Sequence, residues 1–484
     1  MPGSLPAGVD YFRFLPETIL TIAGVLIMFL EGMFQRDQQR RIFAPLSVIA
    51  LLAALVASLS AGGDPGPAFS NMLIIDGFAS FFRVLVIGIG ILVVLSSSEY
   101  LNRERATGGE FYALVIFSIV GQCVMVTANE LIMIFIGLEI SSIASYVLAG
   151  YLRDDPRNNE SALKYFLLGS FATAFLLYGV AWIYGLTGST NLDRIHNSLA
   201  VAPGSLVIVG AAAGLIFVGL AFKLSAAPFQ VWAPDVYQGA PAPVSAFLSV
   251  GPKAASFAIL LRIFMTGFGP IANRWEPIVW AVALATMLVG NLAALRQRNI
   301  KRMLAYSSIA HAGYVLVAVT ANSGQGSAAV MFYLAAYTFT NIGAFAVVSY
   351  FARKGEKYVL IDEMAGLGLR QPALAALLTV FLLSLIGVPL TGGFFGKFYI
   401  FKAALDADLV WLTVLGLLNS AIAAYYYLRV LVVMYMKDAG EPTRDLPPAG
   451  LGLQLALGAS ALGTLVLGIF PGWVLEMASK AALK

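Results

Sequence analysis

The stretch AFKLSAAPFQVWAPDVYQGAPAPVSAFLSVGPKAASFA (residues 221–258) decides the fold. It is almost entirely apolar, yet it contains two lysines, Lys223 and Lys253, and several prolines. Proline removes a backbone donor and clashes with the preceding turn, so a helix through this stretch must break. Inside a membrane, broken backbone is tolerated only where it is buried in protein or lines a wet cavity. The stretch therefore predicts a membrane helix that is interrupted near mid-depth, beside buried amines.

The composition of the whole chain is that of a membrane protein. Of its 484 residues, 59% are hydrophobic and 12% are charged, and the mean hydropathy is +0.84. Soluble domains carry about 25% charged residues, so a water-soluble fold of this length would lack its polar surface. The net charge of +4 gives no indication of nucleic-acid binding. A single cysteine, Cys123, excludes disulfides within the chain and a thiolate metal cluster.

Apolar runs predict the number of membrane spans. A helix needs about 20 apolar residues to cross the hydrocarbon core. We therefore predict an all-α polytopic membrane protein with about fourteen transmembrane helices. They lie at roughly 16–33, 42–60, 72–97, 111–128, 131–151, 162–186, 206–238, 244–267, 276–295, 303–320, 328–351, 373–405, 409–436 and 451–475.

The charges of the loops predict the orientation. Lysines and arginines concentrate in the odd-numbered predicted loops, whereas the even-numbered loops contain only Arg194, Arg274 and Lys402. Because basic loops stay on the cytoplasmic side, we expect the odd loops to face the cytoplasm. Both termini would then be periplasmic.

Two of the predicted spans, 206–238 and 373–405, are too long for one straight helix, and both contain helix breakers. Each is the fourth span of a five-span unit, and an odd number of spans reverses the direction of the second unit. The pattern predicts two inverted repeats with paired broken helices, an arrangement typical of transport sites. The predicted domains are 1–110 (helices 1–3), 111–267 (first repeat, helices 4–8), 268–436 (second repeat, helices 9–13) and 437–484 (C-terminal helix).

Six ionisable residues stand out within the predicted spans, where a charge costs at least about 2.5–3.5 kcal/mol. They are Glu139, Lys164, Lys223, Lys253, His311 and Lys397. Burial disfavours a charged lysine and a nearby carboxylate favours it, so a lysine held between the two influences can load and release a proton. A neutral imidazole can pass a proton between its nitrogens. The set predicts a proton-conducting chain. Its central carrier would be Lys223, and Lys397 would exchange protons with one side.

The three central lysines also have structural interpretations. Lys223 could snorkel, but both interfaces are too far away. Lys253 could bind a carbonyl freed by Pro252, and Lys397 could cap the carbonyls freed at the second break.

Alternatives exist for the other three residues as well. Glu139 could be a neutral carboxyl bonded to Ser142 or to a neighbouring helix, and His311 could be a hydrogen-bonded packing residue. Lys164 follows Glu160 by four residues, the spacing of a surface ion pair; in the functional interpretation it would lie near Glu139 and modulate its proton affinity. Metal ligation is not predicted, since the sequence contains neither a His/Asp/Glu cluster nor the HExxH motif.

The stretch 221–258 resembles the signature of the antiporter-like membrane subunits of complex I, the bacterial NADH–quinone oxidoreductase. Four further segments agree with that family, and the resemblance covers residues from about 70 to 436. They are LEISSIASYVLAG (138–150), SALKYFLLGSFA (161–172), NIKRMLAYSSIAHAGYVL (299–316) and PLTGGFFGKFYIF (389–401).

The resemblance implies a proton-pumping subunit of the bacterial inner membrane with no cofactor of its own. Its partners would be other membrane-arm subunits and the lipid bilayer, and it would not be a stand-alone homo-oligomer. The family's key residues map onto Glu139, Lys164, Lys223, Lys253 and Lys397. The alternative is a subunit of a monovalent cation/proton antiporter complex, whose subunits are similar. An intramembrane enzyme acting on lipid would need a polar pocket near one membrane face, and a passive scaffold would not explain charges in the core.

Overall fold

The computed structural model describes residues 8–33, 41–201, 205–444 and 446–483 of the chain. Over these residues the chain is built of helices, with one short β-hairpin. Arg36 and Arg40, two of the basic residues in the first predicted loop, lie outside the described residues.

The N-terminal part of the chain forms three long helices and the hairpin. Its elements are α1 (Gly8–Arg13), α2 (Leu15–Glu31), α3 (Phe43–Gly62), β1 (Gly66–Ala68), β2 (Leu73–Ile75) and α4 (Gly77–Glu104). The two strands pair antiparallel, with Gly66 opposite Ile75. Asp76 begins α4, because its carboxylate accepts a hydrogen bond from the backbone N–H of Ala79 at 2.7 Å and caps the helix.

The next seven helices correspond to the first predicted repeat. They are α5 (Gly109–Thr127), α6 (Leu131–Ala149), α7 (Pro156–Thr187), α8 (Leu192–Val201), α9 (Leu206–Leu224), α10 (Trp232–Gly239) and α11 (Ala242–Leu261), which continues as a π-helical turn (Arg262–Gly267). Helices α5 and α6 pack very closely at Gly121 and Gly137: a Cβ atom on Gly121 would come 2.5 Å from the carbonyl oxygen of Gly137. Small residues permit this approach between membrane helices.

The remaining helices correspond to the second predicted repeat and the C-terminal region. They are α12 (Ala272–Leu295), α13 (Ile300–Thr320), α14 (Gly324–Phe351), α15 (Leu367–Arg370), α16 (Pro372–Ile386), α17 (Gly392–Asp406), α18 (Val410–Met436), α19 (Leu451–Ile469) and α20 (Gly472–Ala481). Single 3-10 turns lie at Gly269–Ile271, Lys354–Glu356, Ile361–Met364 and Glu441–Thr443.

The helices confirm the polytopic α-helical class. Within the described residues, 12 helices are long and apolar enough to cross a membrane. The first predicted span is helix α2, which has 17 residues, and the twelfth is divided between α16 and α17 of 15 residues each. The count of fourteen crossings, the domain boundaries and the inverted repeats stay predictions.

Both predicted helix breaks are confirmed. Helix α9 ends before Ser225, which has a left-handed φ of 57°, and α10 begins only at Trp232. The carbonyl of Phe222 accepts the indole N–H of Trp232 at 2.9 Å in addition to the backbone N–H of Ser225. Helix α16 ends before Gly387, whose φ of 94° suits glycine. Buried donors are needed at both places, because lipid supplies none.

The centre of the fold is formed by α11, α13 and α14. All 20 residues of α11 are buried, and nearly all residues of α13 and α14 are too. Helices α3 and α7, by contrast, present exposed apolar side chains such as Val56 and Phe171 to the outside. A polar residue on α11 or α13 therefore meets only protein, which is where the sequence places Lys253 and His311.

Candidate functional site

Lys223 lies near the C-terminal end of α9, directly before the first break. Its side chain is buried, and its Nζ donates to the hydroxyl of Tyr146 at 3.3 Å. The ammonium group also lies 5.0 Å from the ring centre of Tyr146 and 5.3 Å from that of Tyr165. Aromatic faces stabilise a cation modestly. Among the described residues Lys223 therefore has a hydroxyl and aromatic rings as partners and no ion pair, and its buried amine does not extend to the surface of the protein.

Glu139 lies mid-helix on α6 and within electrostatic range of Lys223. The residue is half-buried: the nearby side chains of Ile136 and Ile143 are exposed, whereas the Oε1 atom of Glu139 is itself buried. Glu139 therefore lies at the edge of the exposed face of α6. The predicted alternative with Ser142 is not formed, since that hydroxyl donates to a backbone carbonyl and the Oε1 atom of Glu139 lacks a partner among the described residues.

Lys164 does not pair with Glu139. Its Nζ lies 2.7 Å from Glu160 and 2.7 Å from Asp235, and 40% of its side chain is exposed. Asp235 on α10 also binds Arg302 at 2.7 Å. The surface ion pair between Lys164 and Glu160 is thus present. The second ion pair, with Asp235, connects α7 to α10, the short helix of the broken span.

We expect Lys164→Ala to change proton transport by less than about fivefold, because an exposed ion pair is worth about 0–1 kcal/mol. The measurement is the pumping rate of the assembled protein in vesicles. Asp235→Ala is the matched variant, and we expect a similar loss if Lys164 acts through this ion pair. A loss for Lys164→Ala as large as that for Lys223→Ala would contradict this peripheral role.

Lys253 is buried in α11 and binds the next helix of the core. Its Nζ donates to the Ser308 hydroxyl at 2.6 Å and to the Ser308 carbonyl at 3.2 Å. The carbonyl that Pro252 frees belongs to Leu248, four residues earlier, and accepts the hydroxyl of Tyr237 at 3.0 Å. The alternative role for Lys253 at this carbonyl is therefore not formed.

His311 lies between two tyrosines. Its Nδ1 is hydrogen-bonded to the hydroxyl of Tyr333, and its Nε2 lies 3.2 Å from the hydroxyl of Tyr427. The Tyr427 hydroxyl is in turn hydrogen-bonded to Ser307. This arrangement fits both a relay and a packing role, since a neutral imidazole donates with one nitrogen and accepts with the other.

Lys397 lies in α17, just after the second break. Its Nζ donates to the carbonyls of Leu385 and Ile386 at 3.0 and 2.8 Å, and to the Ser420 hydroxyl at 2.8 Å. The capping alternative is therefore present. Capping does not exclude proton exchange, because the three acceptors are neutral and leave the amine without a counter-ion.

Two small cavities lie beside these residues. Lys223 and Ser142 line the first, and Lys253 and His311 line the second. Each holds about 10 Å³, near the lower limit for one water. Among the described residues no direct hydrogen bond joins two of the six predicted residues, so their links run through hydroxyl groups and these spaces.

Two buried ion pairs and one half-buried ion pair were missed from the sequence. Arg83 binds Glu17 at 2.8 Å, Arg262 binds Asp76 at 2.9 Å, and Lys301 binds Glu356 at 2.6 Å. Arg83 and Arg262 were visible as charges inside predicted spans. Lys301 was counted as a loop charge, and its partner lies 55 residues away in another loop.

Comparison with known proteins gives a match to one family model over residues 128–423. Its description is NADH:quinone oxidoreductase/Mrp antiporter, TM. The chain is 64% identical to NADH-quinone oxidoreductase subunit N 1 of Solibacter usitatus (strain Ellin6076), over 98% of this chain and 97% of that protein. It is 50% identical to NADH-quinone oxidoreductase subunit N 2 of Koribacter versatilis (strain Ellin345), over 98% and 97% of the two chains.

Solved structures show the same fold. A chain of respiratory complex I from Thermus thermophilus with bound aureothin is 35% identical, with a TM-score of 0.81 over 96% of this chain and 99% of that chain. A chain of the Mrp complex from Dietzia sp. DQ12-45-1b has a TM-score of 0.85 over 98% of this chain and 96% of that one, but is 21% identical. The second likeness concerns the fold alone.

Proposed function

Since this chain belongs to the family of antiporter-like membrane subunits of NADH:quinone oxidoreductase, and within it to the subunit N group, we propose that it translocates protons across the membrane. The form PDVYQGAP (234–241) followed by SVGPKA (249–254) predicts subunit N in particular, and the relatives confirm it. NADH oxidation and quinone reduction would take place in other subunits of the same complex.

One observation carries the proposal. Lys223, Lys253, His311 and Lys397 are all at most 6% exposed, and none of the four has a carboxylate partner in an ion pair among the described residues. A buried lysine paired with a carboxylate would be fixed in its charged form, whereas one held by hydroxyls and carbonyls can change its charge. Lys301 is of the first kind, because it is ion-paired with Glu356 and has a structural role. Lys223, Lys253 and Lys397 are of the second kind and can gain or lose a proton.

The proposed route follows the order of the helices. Lys223 is the central carrier, and Glu139 biases its charge from α6. Lys253 and His311 relay protons through the centre, and Lys397 exchanges protons with one side. Lys164 would act on this route indirectly, through Asp235 on α10.

The energy for this transport must come from partner subunits. Moving one charge against 100 mV takes about 2.3 kcal/mol. Among the described residues no group of three or more His, Cys, Asp and Glu side chains could hold a metal ion. As the resemblance to the family implies, we propose that the chain has no redox centre of its own and works with other membrane-arm subunits.

The chain is a multi-pass membrane protein, and we propose the bacterial inner membrane as its location, with both termini on the periplasmic side. The basic loops support this orientation. The matching family model also includes Mrp antiporters, and a chain of an Mrp complex shares the fold at 21% identity. The relatives at 64% and 50% identity are both subunits of NADH-quinone oxidoreductase, so we favour proton pumping within the oxidoreductase over exchange of protons against sodium.

Lys253→Ala tests the proposal. In the complex reconstituted into vesicles, we expect NADH-driven proton pumping to fall by on the order of 10²-fold, while NADH oxidation with a soluble artificial acceptor continues. Lys402→Ala is the control, because Lys402 is exposed and, among the described residues, its ion-pair partner is Asp406 four residues away. Normal pumping by an assembled Lys253→Ala complex would count against the route.

A further inference from the structure

Tyr337 lies in α14 and has a buried hydroxyl without a partner. The residue is 7% exposed. Its hydroxyl oxygen meets no group at hydrogen-bonding distance and angle among the described residues, although the Ser308 hydroxyl lies nearby. A buried polar group that lacks a protein partner is normally satisfied by water. If the hydroxyl had no hydrogen-bond partner, phenylalanine at this position would avoid the free-energy cost of burying an unpaired polar group.

The side chain of Tyr337 lines the second small cavity of the site. Lys253, Ser308, His311 and Tyr333 line the same cavity. Its size is near the lower limit for one water, and a bound water needs two to four polar partners. The lining supplies an ammonium group and several hydroxyls, so the cavity is polar enough to hold one.

Among the described residues no hydrogen bond joins Lys253 to His311 across the cavity. Two hydrogens of the Lys253 ammonium group are directed to Ser308, and the third has no hydrogen-bond acceptor among the described residues. On the other side, both nitrogens of His311 are occupied by tyrosine hydroxyls, and the Nδ1 partner is Tyr333. The rings of Tyr333 and Tyr337 stack in parallel, 6.3 Å apart.

From this geometry we infer that the Tyr337 hydroxyl holds a water molecule in the cavity, and that this water passes protons between Lys253 and His311 by way of Tyr333. The inference rests on the proposed function and adds a positioning residue that the sequence did not indicate. Tyr337 orients the water and does not itself carry the charge.

The transfer conserves protons at each step. The Lys253 ammonium group gives one proton to the water, which releases another of its protons to the Tyr333 hydroxyl oxygen. Tyr333 passes its own hydroxyl proton to Nδ1 of His311, in the tautomer that accepts there. Lysine ends neutral, the imidazole ends with one more proton, and water and tyrosine are unchanged. The reverse sequence returns the proton.

Tyr337→Phe tests the inference, because it keeps the ring and removes only the hydroxyl. In the complex reconstituted into vesicles, we expect NADH-driven pumping to slow by at least about tenfold, the lower range for a misplaced proton-transfer group. We also expect a larger solvent isotope effect of D₂O on the pumping rate. Tyr112→Phe is the matched control, since Tyr112 is buried in α5 outside the site, and its pumping should equal that of the wild type.

A cryo-EM map of the wild-type complex at a resolution that shows waters supplies the second test. We expect density within hydrogen-bonding distance of the Tyr337 hydroxyl, and no such density in Tyr337→Phe. An empty cavity in the wild type overturns the inference, even if the variant does not assemble. Wild-type pumping by Tyr337→Phe overturns it as well, even if a water is seen.

The two proposals fail in different ways. If Lys253→Ala abolishes pumping while Tyr337→Phe leaves it unchanged, the water relay is wrong and the proposed function stands. If Lys253→Ala and Lys223→Ala both pump normally, the proposed function is wrong and the relay with it.

Discussion

Lys223→Ala is expected to abolish proton pumping, with a loss of 10²-fold or more, on the order of what removing a proton-transfer group costs. Lys223 lies at the end of α9, where the backbone leaves the helix at Ser225. Among the described residues its amine has no carboxylate in contact, and its hydrogen-bond partner is the hydroxyl of Tyr146. Among the described residues no neighbouring side chain can replace it: its amine lies beside Tyr146, Tyr165 and Phe222, and serines line the adjacent cavity, and none of these is a base near neutral pH.

Lys223→Arg separates charge from proton transfer. Arginine keeps a cation near the rings of Tyr146 and Tyr165 but does not release its proton in proteins. We expect it to fail as fully as alanine. The measurement is the number of protons moved per NADH oxidised in vesicles, with Lys402→Ala as the control for loss of a lysine at the surface. If Lys223→Arg pumped normally, Lys223 would be an electrostatic anchor and the carrier would have to be sought elsewhere.

Much of this site could be predicted because a lysine inside a long apolar run can be identified from a single sequence, without comparison with relatives. The runs fix which residues lie at mid-depth, and the prolines and glycines mark the two breaks. Both breaks and the burial of Lys223, Lys253 and Lys397 were predicted from this pattern alone. The physical reason is that lipid penalises charges and unpaired backbone so strongly that few sequences show them without a cause.

The partners of these residues could not be predicted in the same way. Spacing within one helix gives neighbours at three or four residues, as for Lys164 and Glu160, but not contacts between helices. Asp235, the second partner of Lys164, lies 71 residues further along the chain. The sequence of α6 also did not show that Glu139 would lie beside exposed isoleucines, although the buried face of the helix carries its small and polar residues, Gly137 and three serines.

The ion pair between Glu17 and Arg83 is another contact between helices that the sequence did not predict, and it lies outside the proposed proton route. Glu17 lies in the first turn of α2 and Arg83 in the second turn of α4, and neither side chain is exposed. Apart from their mutual contact at 2.8 Å, their side-chain nitrogens and oxygens have no hydrogen-bond partner among the described residues. The pair holds two N-terminal helices together, and each charge depends on the other.

Arg83→Met is expected to destabilise the protein by about 3–5 kcal/mol, because it leaves the Glu17 carboxylate buried without its counter-ion. The double variant Glu17→Leu/Arg83→Met should recover most of that loss, since a buried ion pair can be replaced by apolar side chains at little cost. The measurement is the midpoint of thermal unfolding of the purified protein in detergent, together with the yield of assembled complex.

Pumping per NADH should stay at the wild-type value in whatever fraction assembles, because both residues lie in helices that carry none of the proposed carriers. A double variant as unstable as Arg83→Met would show that the two charges act independently, through other groups. A double variant that assembles but no longer pumps would instead extend the proton route into the N-terminal helices.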